Sequence, residues 1–249
     1  MPVKKKTKAP GQGMTAKQMK RRKPISQDYM LPIEPLTDNQ KVMFDAWDEG
    51  KMIYAYGVAG TGKTFVALYK ALKEVLDDYS PYEKIYIVRS LVATREIGFL
   101  PGDHEDKSSL YQIPYKNMVQ AMFEMPDDNS YEMLYDNLKA QETISFWSTS
   151  FIRGTTLDNS IVIIDECQNL NFHELDSIIT RVGQDSKIVF CGDAAQTDLL
   201  KNNERTGILD FQRIIQTRDA FALEEFGIED IVRSGLVKSY LINKINLGL

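Results

Sequence analysis

A glycine-rich segment in the first third of the chain has the residue types needed to bind phosphate. It fits the pattern G-x-x-x-x-G-K-[ST] and consists of Gly57, Val58, Ala59, Gly60, Thr61, Gly62, Lys63 and Thr64. In such a segment glycines let backbone N–H groups surround phosphates, the lysine reaches the outer phosphates, and the threonine hydroxyl meets Mg²⁺. We predict a nucleotide phosphate site here, against the alternative that a glycine turn joins a strand to a helix by chance.

The elements on both sides of this segment support the prediction. An apolar, aromatic run at residues 52–56 precedes it and has the character of a strand. After Lys63, apolar residues recur at helical spacing as far as Leu76. A helix that begins here would direct its free N–H groups and the positive end of its dipole at the same anion.

Asp165 and Glu166 stand directly after four consecutive branched apolar residues, 161–164. Such a run indicates a strand buried on both faces, as in a parallel sheet. Two acids at the end of a buried strand are costly unless they face a cation. We interpret Asp165 as a ligand of Mg²⁺ together with Thr64, and Glu166 as the group that orients and deprotonates water. The alternative is that both acids are merely exposed at a strand end.

Further polar residues follow other predicted strands. Arg89 ends the strand predicted at 84–89 and Ser90 follows it, and ligands bind at that edge of open parallel sheets. We expect both to contact substrate or phosphate, unless Arg89 is a solvated strand-end arginine. Gln196 follows the strand predicted at 187–191, and its amide would sense the γ-phosphate.

Gln40 lies before the phosphate loop, and its role has two interpretations. Thr37 and Gln40 fit the S/T-x-x-E/Q capping box at the start of a helix. Alternatively, the donor and the acceptor of the glutamine amide would both meet the edge of an adenine base. The spacing alone leaves both open.

The order of strands and helices predicts one α/β domain, with a mainly parallel sheet and helices on both sides. Residues 91–142 form a long excursion between two strands, with helices predicted near 115–125 and 130–139. Long ordered insertions are often functional, so we expect this one to shape a binding surface. His104 lies in it among acids, and we expect a surface histidine rather than a metal ligand.

The formal net charge of −5 conceals a strong asymmetry. Residues 1–27 contain nine lysines and arginines and no acid, which leaves 21 bases against 35 acids, a net charge of −14, for the rest. We predict a basic, disordered tail at 1–30 and a folded domain at 31–249. The tail would tether RNA, DNA or an acidic partner, or act as a solubilising extension. A body this acidic should not hold nucleic acid through bulk charge.

Cys167 and Cys191 are the only cysteines in the sequence and lie beside apolar runs, which is typical of buried thiols in a reducing compartment. No apolar run reaches the roughly 18 residues that span a bilayer. The N-terminal lysines precede no apolar signal segment. We therefore expect a cytoplasmic protein with no membrane contact.

Taken together, these motifs resemble the PhoH family of ATPases, relatives of the nucleic-acid helicases of superfamily one. The resemblance covers about residues 32–246 and leaves the basic tail outside. The stretches that carry it are the phosphate loop, Val88-Arg89, and residues 97–103, 151–157, 165–169, 192–199 and 230–233. The family motif usually continues from arginine into proline, where this chain has Arg89-Ser90.

The resemblance implies a RecA-like P-loop domain that hydrolyses ATP with Mg²⁺. It also implies rings of subunits, with hexamers as one option, and RNA as substrate. Gln40 would read adenine, and Gln196 would couple the γ-phosphate to conformational change. Charge on the transferring phosphoryl group is commonly met by an arginine finger. Arg233 matches a family arginine and is our first choice for a finger from a neighbouring subunit, ahead of Arg153.

We therefore predict Mg²⁺-dependent ATP hydrolysis, coupled to binding or remodelling of RNA or single-stranded nucleic acid in a homo-oligomeric ring. The alternative is a slow ATP-dependent switch that docks a protein partner without acting on nucleic acid. A small-molecule kinase is disfavoured because Glu166 serves water activation, which is not needed when a substrate hydroxyl attacks. A GTPase is disfavoured because the sequence has no Asn-Lys-x-Asp guanine motif.

Overall fold

The computed structural model describes residues 25–89, 104–152, 154–193, 202–217 and 219–247. Residues 1–24 of the predicted tail lie outside this description, as do Ser90, Arg153 and Gln196. The same holds for the side chain of His104, whose backbone begins a helix. What the sequence predicts for these residues stays a prediction.

One parallel sheet forms the centre of the domain. Its six strands are β1 (Met52–Gly57), β2 (Lys84–Arg89), β3 (Ile144–Ser148), β4 (Ser160–Asp165), β5 (Lys187–Cys191) and β6 (Phe221–Phe226). Their order is β3-β2-β4-β5-β1-β6, and every pairing between them is parallel. This confirms the predicted α/β class. Strand β5 separates β1, which leads into the phosphate loop, from β4, which ends at the acidic pair.

Helices flank the sheet. Those in the described residues are α1 (Asp38–Asp48), α2 (Lys63–Val75), α3 (His104–Gln120), α4 (Asp128–Ala140), α5 (Thr149–Ile152), α6 (Phe172–Ile179), α7 (Asn202–Gln216) and α8 (Gly235–Asn246). Helix α2 begins at Lys63, as predicted. Asn171 and Glu174 form a capping box at the start of α6 through two reciprocal hydrogen bonds. None of the described helices is long and apolar enough to cross a bilayer.

Side chains of each central strand alternate between two hydrophobic cores. Ile161 and Ile163 of β4 face the core built with α1 to α4, whereas Val162 and Ile164 face the core built with α5 to α7. All four are fully buried, and burial of such a side chain contributes about 1.5–3 kcal/mol. Burial on both faces explains why β4 is an unbroken run of branched residues.

The inserted segment is ordered where the structure describes it, from residue 104 onward. Helix α3 and the turn after it pack on the core that is built with α1 to α4, called here the first core. The contacts are made by Tyr115, Val119 and Met122. Helix α3 begins earlier than the helix predicted near 115–125 and continues past Pro114. A proline inside a helix removes one hydrogen bond and favours a kink, and here tertiary packing outweighs that cost.

Residues next to the predicted boundary at residue 30 contact the rest of the domain. Ile25 is buried in the first core, and Met30 forms an isolated β-bridge with Phe123. The Leu31 N–H donates to the Met122 carbonyl at 2.9 Å. These apolar residues find partners in a distant part of the chain that local composition does not reveal, and the predicted boundary itself stays a prediction.

Candidate nucleotide-binding site

The glycine-rich loop follows β1 and leads directly into α2. Gly57 and Gly62 have φ angles of 123° and 84°, which L side chains rarely adopt. At Gly57 a Cβ atom would lie 2.2 Å from the Phe226 carbonyl oxygen, so only glycine fits beside β6. No side chain among the described residues caps α2 at Gly62. The first N–H groups of α2 are therefore available to an anion.

The Lys63 side chain folds back over the loop. Its Nζ donates to the carbonyls of Gly57 at 3.2 Å and Val58 at 2.7 Å, and to Thr61 Oγ1 at 3.1 Å. Burial lowers the pKa of Lys63 from its ordinary value. A buried ammonium that is bonded to neutral oxygens forms stronger hydrogen bonds when charged phosphate oxygens replace them.

Thr64 and Asp165, the two predicted metal ligands, are in direct contact. The Thr64 hydroxyl donates to Asp165 Oδ1 at 2.6 Å, and the Tyr115 hydroxyl donates to Oδ2 at 2.6 Å. Burial and then the charge of Asp165 raise the pKa of Tyr115 well above its ordinary value, so the phenol remains a donor. Sequence reasoning missed Tyr115, because its spacing within α3 does not distinguish it from an ordinary core tyrosine.

The oxygens at the end of the loop suit Mg²⁺. A hydroxyl and a single carboxylate, 2.6 Å apart, form a small set of hard ligands. Within the described ranges, no group of three or more His, Cys, Asp or Glu side chains is placed to hold a metal ion. Mg²⁺ keeps several waters and is commonly bound by one or two carboxylates together with substrate phosphates, and Thr64 and Asp165 are the residues that could hold it here.

Glu166 lies at the turn after β4 with a φ of 53°, a left-handed conformation that costs of order 1–3 kcal/mol and clusters at functional sites. Two groups hold its carboxylate. Arg89 Nη2 lies 3.9 Å from Oε1, and Gln168 Nε2 donates to Oε2 at 2.6 Å. Gln168 Oε1 in turn accepts from the Asp193 N–H at 2.9 Å. Arg89 is thus in the site but paired with an acid, and Gln168 is a contact that spacing alone did not predict.

The Gln40 side chain is buried and its amide is engaged at both ends. Nε2 donates to the Thr61 carbonyl at 2.8 Å, and Oε1 accepts from the Leu36 N–H at 2.8 Å. The Thr37 half of the predicted capping box is present, with Thr37 Oγ1 accepting from the Gln40 N–H at 3.3 Å. The Gln40 side chain instead ties the segment before α1 to the phosphate loop. Its contact with adenine stays a prediction.

The segment after β6 packs on the phosphate loop. The Val232 N–H donates to the Gly60 carbonyl at 3.1 Å. A Cβ atom on Gly60 would lie 2.9 Å from Arg233 Cγ and 3.3 Å from Arg233 Nε. Arg233 therefore lies beside the loop of its own chain. The predicted role of Arg233 as a finger supplied to a neighbouring subunit stays a prediction.

Asp230 fixes the same segment to α1. Its buried Oδ2 accepts from Asn39 Nδ2 at 2.7 Å and from the Gly227 N–H at 2.8 Å. Burial by itself raises the pKa of Asp230, but hydrogen bonds from Thr37, Asn39 and Gly227 outweigh it, so the pKa lies below its ordinary value. The native structure thus favours the charged carboxylate.

A cavity of about 720 Å³ lies over the loop, a volume in the range of ligand pockets. It brings together residues from the phosphate loop and from the ends of β2, β4 and β5. Its charged lining includes Arg89, Lys63, Asp165, Glu166 and Arg233, and its apolar lining includes Ile33, Leu36, Phe44, Phe65 and Met118. One cavity therefore offers charged groups for phosphates and an apolar surface for a base.

The parallel sheet, the loop that enters α2 and the acidic pair at the end of β4 define a P-loop NTPase domain. The chain belongs to the PhoH-like family. The family model described as PhoH-like protein matches residues 32–243. This confirms the resemblance found in the motifs.

Relatives of the family are similar over most of this chain. A PhoH-like protein of Mycobacterium tuberculosis is 32% identical over 206 residues, which cover 82% of this chain and 56% of the relative. A PhoH-like protein of Bacillus subtilis is 30% identical over 210 residues, which cover 81% of this chain and 60% of the relative. The chain thus spans a little over half the length of these relatives.

Solved structures match less closely. The large terminase of a thermophilic bacteriophage, in complex with ADP, matches with a TM-score of 0.47 and 13% identity, over 83% of this chain and 49% of that one. Unliganded Pif1 from Bacteroides sp matches with a TM-score of 0.40 and 17% identity, over 87% of this chain and 47% of that one. Because both scores are below 0.5, no conclusion about function rests on them.

Proposed function

We propose that this chain hydrolyses ATP with Mg²⁺. The observation that carries the proposal is the contact of 2.6 Å between Thr64 and Asp165 at the start of α2, beside the Lys63 ammonium. A hydroxyl, a carboxylate and a lysine grouped at an uncapped helix N-terminus are the parts that P-loop enzymes use to hold a nucleotide triphosphate and its metal ion.

The chain's own residues divide the work of the reaction. N–H groups of the loop and of α2 bind the phosphates, and Lys63 exchanges the Gly57 and Val58 carbonyls for outer phosphate oxygens. Thr64 and Asp165 hold Mg²⁺, which when bound neutralises charge on those oxygens. Glu166 orients a water molecule and takes its proton after leaving Arg89 and Gln168.

We propose adenine as the base. Gln40 lines the cavity together with the apolar Leu36 and Phe44. Its amide has a donor and an acceptor, now bonded to Thr61 and Leu36, and both can turn to the edge of a base. Gln196 senses the γ-phosphate in this proposal, and Arg233 stabilises phosphoryl charge from beside Gly60.

We further propose that turnover is coupled to RNA or single-stranded nucleic acid in a homo-oligomer. The support for a nucleic-acid partner is the run of nine bases without an acid at residues 1–27. The support for an oligomer is α8, within which no residue is buried, while Leu236 and Tyr240 are 83% and 65% exposed. Apolar faces of this kind mark interaction surfaces.

A slow switch that docks a protein partner is the second candidate. The contacts of Arg89 and Gln168 with Glu166 favour this candidate. A carboxylate that is bonded to two partners is seldom free to take a proton from water, so hydrolysis would be slow. A ligand that releases Glu166 would convert this slow state into an active one. Stimulation by nucleic acid therefore separates the two candidates.

The test is release of inorganic phosphate from ATP by the full chain, with and without Mg²⁺, single-stranded RNA or single-stranded DNA. We expect turnover that needs Mg²⁺ and rises when RNA or single-stranded DNA is added. Lys63→Ala, assayed in parallel, measures contaminating ATPase activity. A wild-type rate no higher than the rate of Lys63→Ala would contradict the ATPase proposal. A rate that nucleic acid does not change would favour the protein-docking switch.

A further inference from the structure

Tyr115 brings a polar group from the inserted segment to the predicted metal ligand. Its ring is buried and packs against Phe146 at a centroid distance of 5.4 Å. This packing fixes the ring, so the hydroxyl stays 2.6 Å from Asp165 Oδ2. Because Thr64 contacts the other oxygen of the same carboxylate, Asp165 is held between α2 and α3.

Arg89 is a competing donor for this carboxylate. Strands β2 and β4 are in register at Arg89 and Asp165, so the two residues are neighbours at the sheet edge. The guanidinium lies 3.9 Å from Glu166. Burial and Asp165 raise the pKa of Tyr115, and the nearby Arg89 partly offsets this rise. If the hydroxyl were removed, the buried Oδ2 would need another donor, and Arg89 is placed to supply it.

We infer, on the basis of the proposed function, that Tyr115 is a positioning residue of the Mg²⁺ site. Its hydroxyl occupies Oδ2 of Asp165 and keeps the carboxylate from pairing with Arg89. Oδ1 then remains on the side of Thr64, where the metal ion is proposed to bind. Hydrogen bonds of this kind orient ligand carboxylates, and their loss weakens metal binding.

The inference gives the inserted segment a specific role. Tyr115 belongs to α3, which lies in the excursion between β2 and β3. Through this hydroxyl the insertion would contribute to metal affinity, in addition to shaping a surface.

The chain contains a matched control for this contact. Tyr135 on α4 is also buried in the first core. Its hydroxyl has no hydrogen-bond partner among the described residues. Tyr115→Phe and Tyr135→Phe thus remove the same atom from similar surroundings, but Tyr115 alone of the two contacts Asp165.

The experiment measures Mn²⁺ binding to the full chain in the presence of ADP, with free Mn²⁺ followed by electron paramagnetic resonance. It does not depend on turnover. We expect Tyr115→Phe to weaken Mn²⁺ binding by roughly tenfold or more, and Tyr135→Phe to leave it unchanged. Adding Arg89→Gln to Tyr115→Phe should restore most of the affinity, because the competing guanidinium is gone. Thermal melts of all variants show whether each remains folded.

Three outcomes would overturn the inference. The first is equal Mn²⁺ affinity in Tyr115→Phe and the wild type, and the second is a loss that Arg89→Gln does not relieve, as general damage to the fold would give. The third is a wild-type chain that binds neither ADP nor Mn²⁺. That result contradicts the proposed function itself, and it differs from the others because it appears before any variant is made.

Discussion

The guanidinium of Arg89 lies 3.9 Å from the carboxylate of Glu166, across the adjacent ends of β2 and β4. Gln168 binds the second carboxylate oxygen and is itself held by the backbone of Asp193. Glu166, which is proposed to activate water, is therefore linked to the ends of β2, β4 and β5. Movement at any of them would change where Glu166 points.

Glu166→Gln separates binding from chemistry. The amide keeps the size of the side chain but cannot take a proton from water, so turnover should fall by roughly 10² or more. Binding of ADP should be retained, because the loop and Lys63 are intact. Glu132→Gln, which alters an exposed pair with Lys116, controls for loss of charge. Normal turnover in Glu166→Gln would remove this residue from the role of base.

Lys63→Ala should weaken nucleotide binding and hydrolysis together. The variant loses the cation that reaches the outer phosphates. It also removes the ammonium that donates to the carbonyls of Gly57 and Val58, although Val58 keeps a bond from the Thr61 hydroxyl. Calorimetric titration with a slowly hydrolysed ATP analogue measures the first effect and phosphate release the second. Lys73→Ala, at the far end of α2, should change neither. Unaltered binding in Lys63→Ala would place the phosphates elsewhere.

Asp230→Asn tests the attachment of the Arg233 segment to α1. In the folded state the pKa of Asp230 is below its ordinary value. The charged carboxylate therefore stabilises the fold at pH values above about 4, and this contribution is lost as the pH falls through the lowered pKa. Urea unfolding at pH 7 should show a loss of about 1–3 kcal/mol. The difference in the free energy of unfolding between the variant and the wild type should become smaller at acid pH.

The exposed Asp176 provides the control for that measurement. Asp176→Asn should leave the free energy of unfolding within about 0.5 kcal/mol at both pH values. A stability loss in Asp230→Asn that is the same at neutral and acid pH would indicate a packing defect rather than the loss of a charged acceptor.

Deletion of residues 2–23 should weaken nucleic-acid binding at low salt and flatten its salt dependence. The deletion removes all nine bases of the N-terminal run, and each phosphate contact of a single strand adds about 0.7 to the salt slope. Basal ATP hydrolysis should not change, since the described contacts to the core begin at Ile25. Identical binding by both chains across a salt titration would make the tail a solubiliser.

Mixing Arg233→Ala with Lys63→Ala decides where Arg233 acts. If Arg233 acts on the loop that it lies beside in its own chain, each phosphate loop and its arginine would belong to one subunit, and mixed subunits should stay inactive at every ratio. Subunit exchange must be verified with an independent label. Recovery of phosphate release in the mixture would return Arg233 to the role of a finger in trans.

Local patterns were sufficient to predict the parts of the site that lie on one element. The glycine loop with α2, and the branched strand that ends at Asp165, each combine a spacing rule with a chemical requirement, and the structure has both elements in the predicted places. Thr64 and Asp165 were predicted as ligands of one metal ion from two separate patterns, and the structure has their side chains 2.6 Å apart.

Contacts between distant segments could not be predicted in the same way. Tyr115 reaches Asp165 from an insertion 50 residues away, and nothing in α3 marks this tyrosine as different from its neighbours. The Gln40 amide accepts from the nearby Leu36 N–H and donates to the Thr61 carbonyl 21 residues away, and only the second of these contacts depends on the tertiary fold. Arg233 belongs to a short motif that the sequence shows, but which subunit it serves depends on the assembly and stays a prediction.

The hydrogen bonds around the phosphate loop have a consequence for the heat-capacity change of nucleotide binding. Lys63 and Gln40 bond to the loop's own oxygens, so the loop holds its shape by itself. Nucleotide entry is then an exchange reaction, in which hydrogen bonds are replaced rather than added. Little of the binding free energy is spent on ordering the chain, and the heat-capacity change should report mainly the apolar area that the base covers. A loop of this kind can release its product without unfolding.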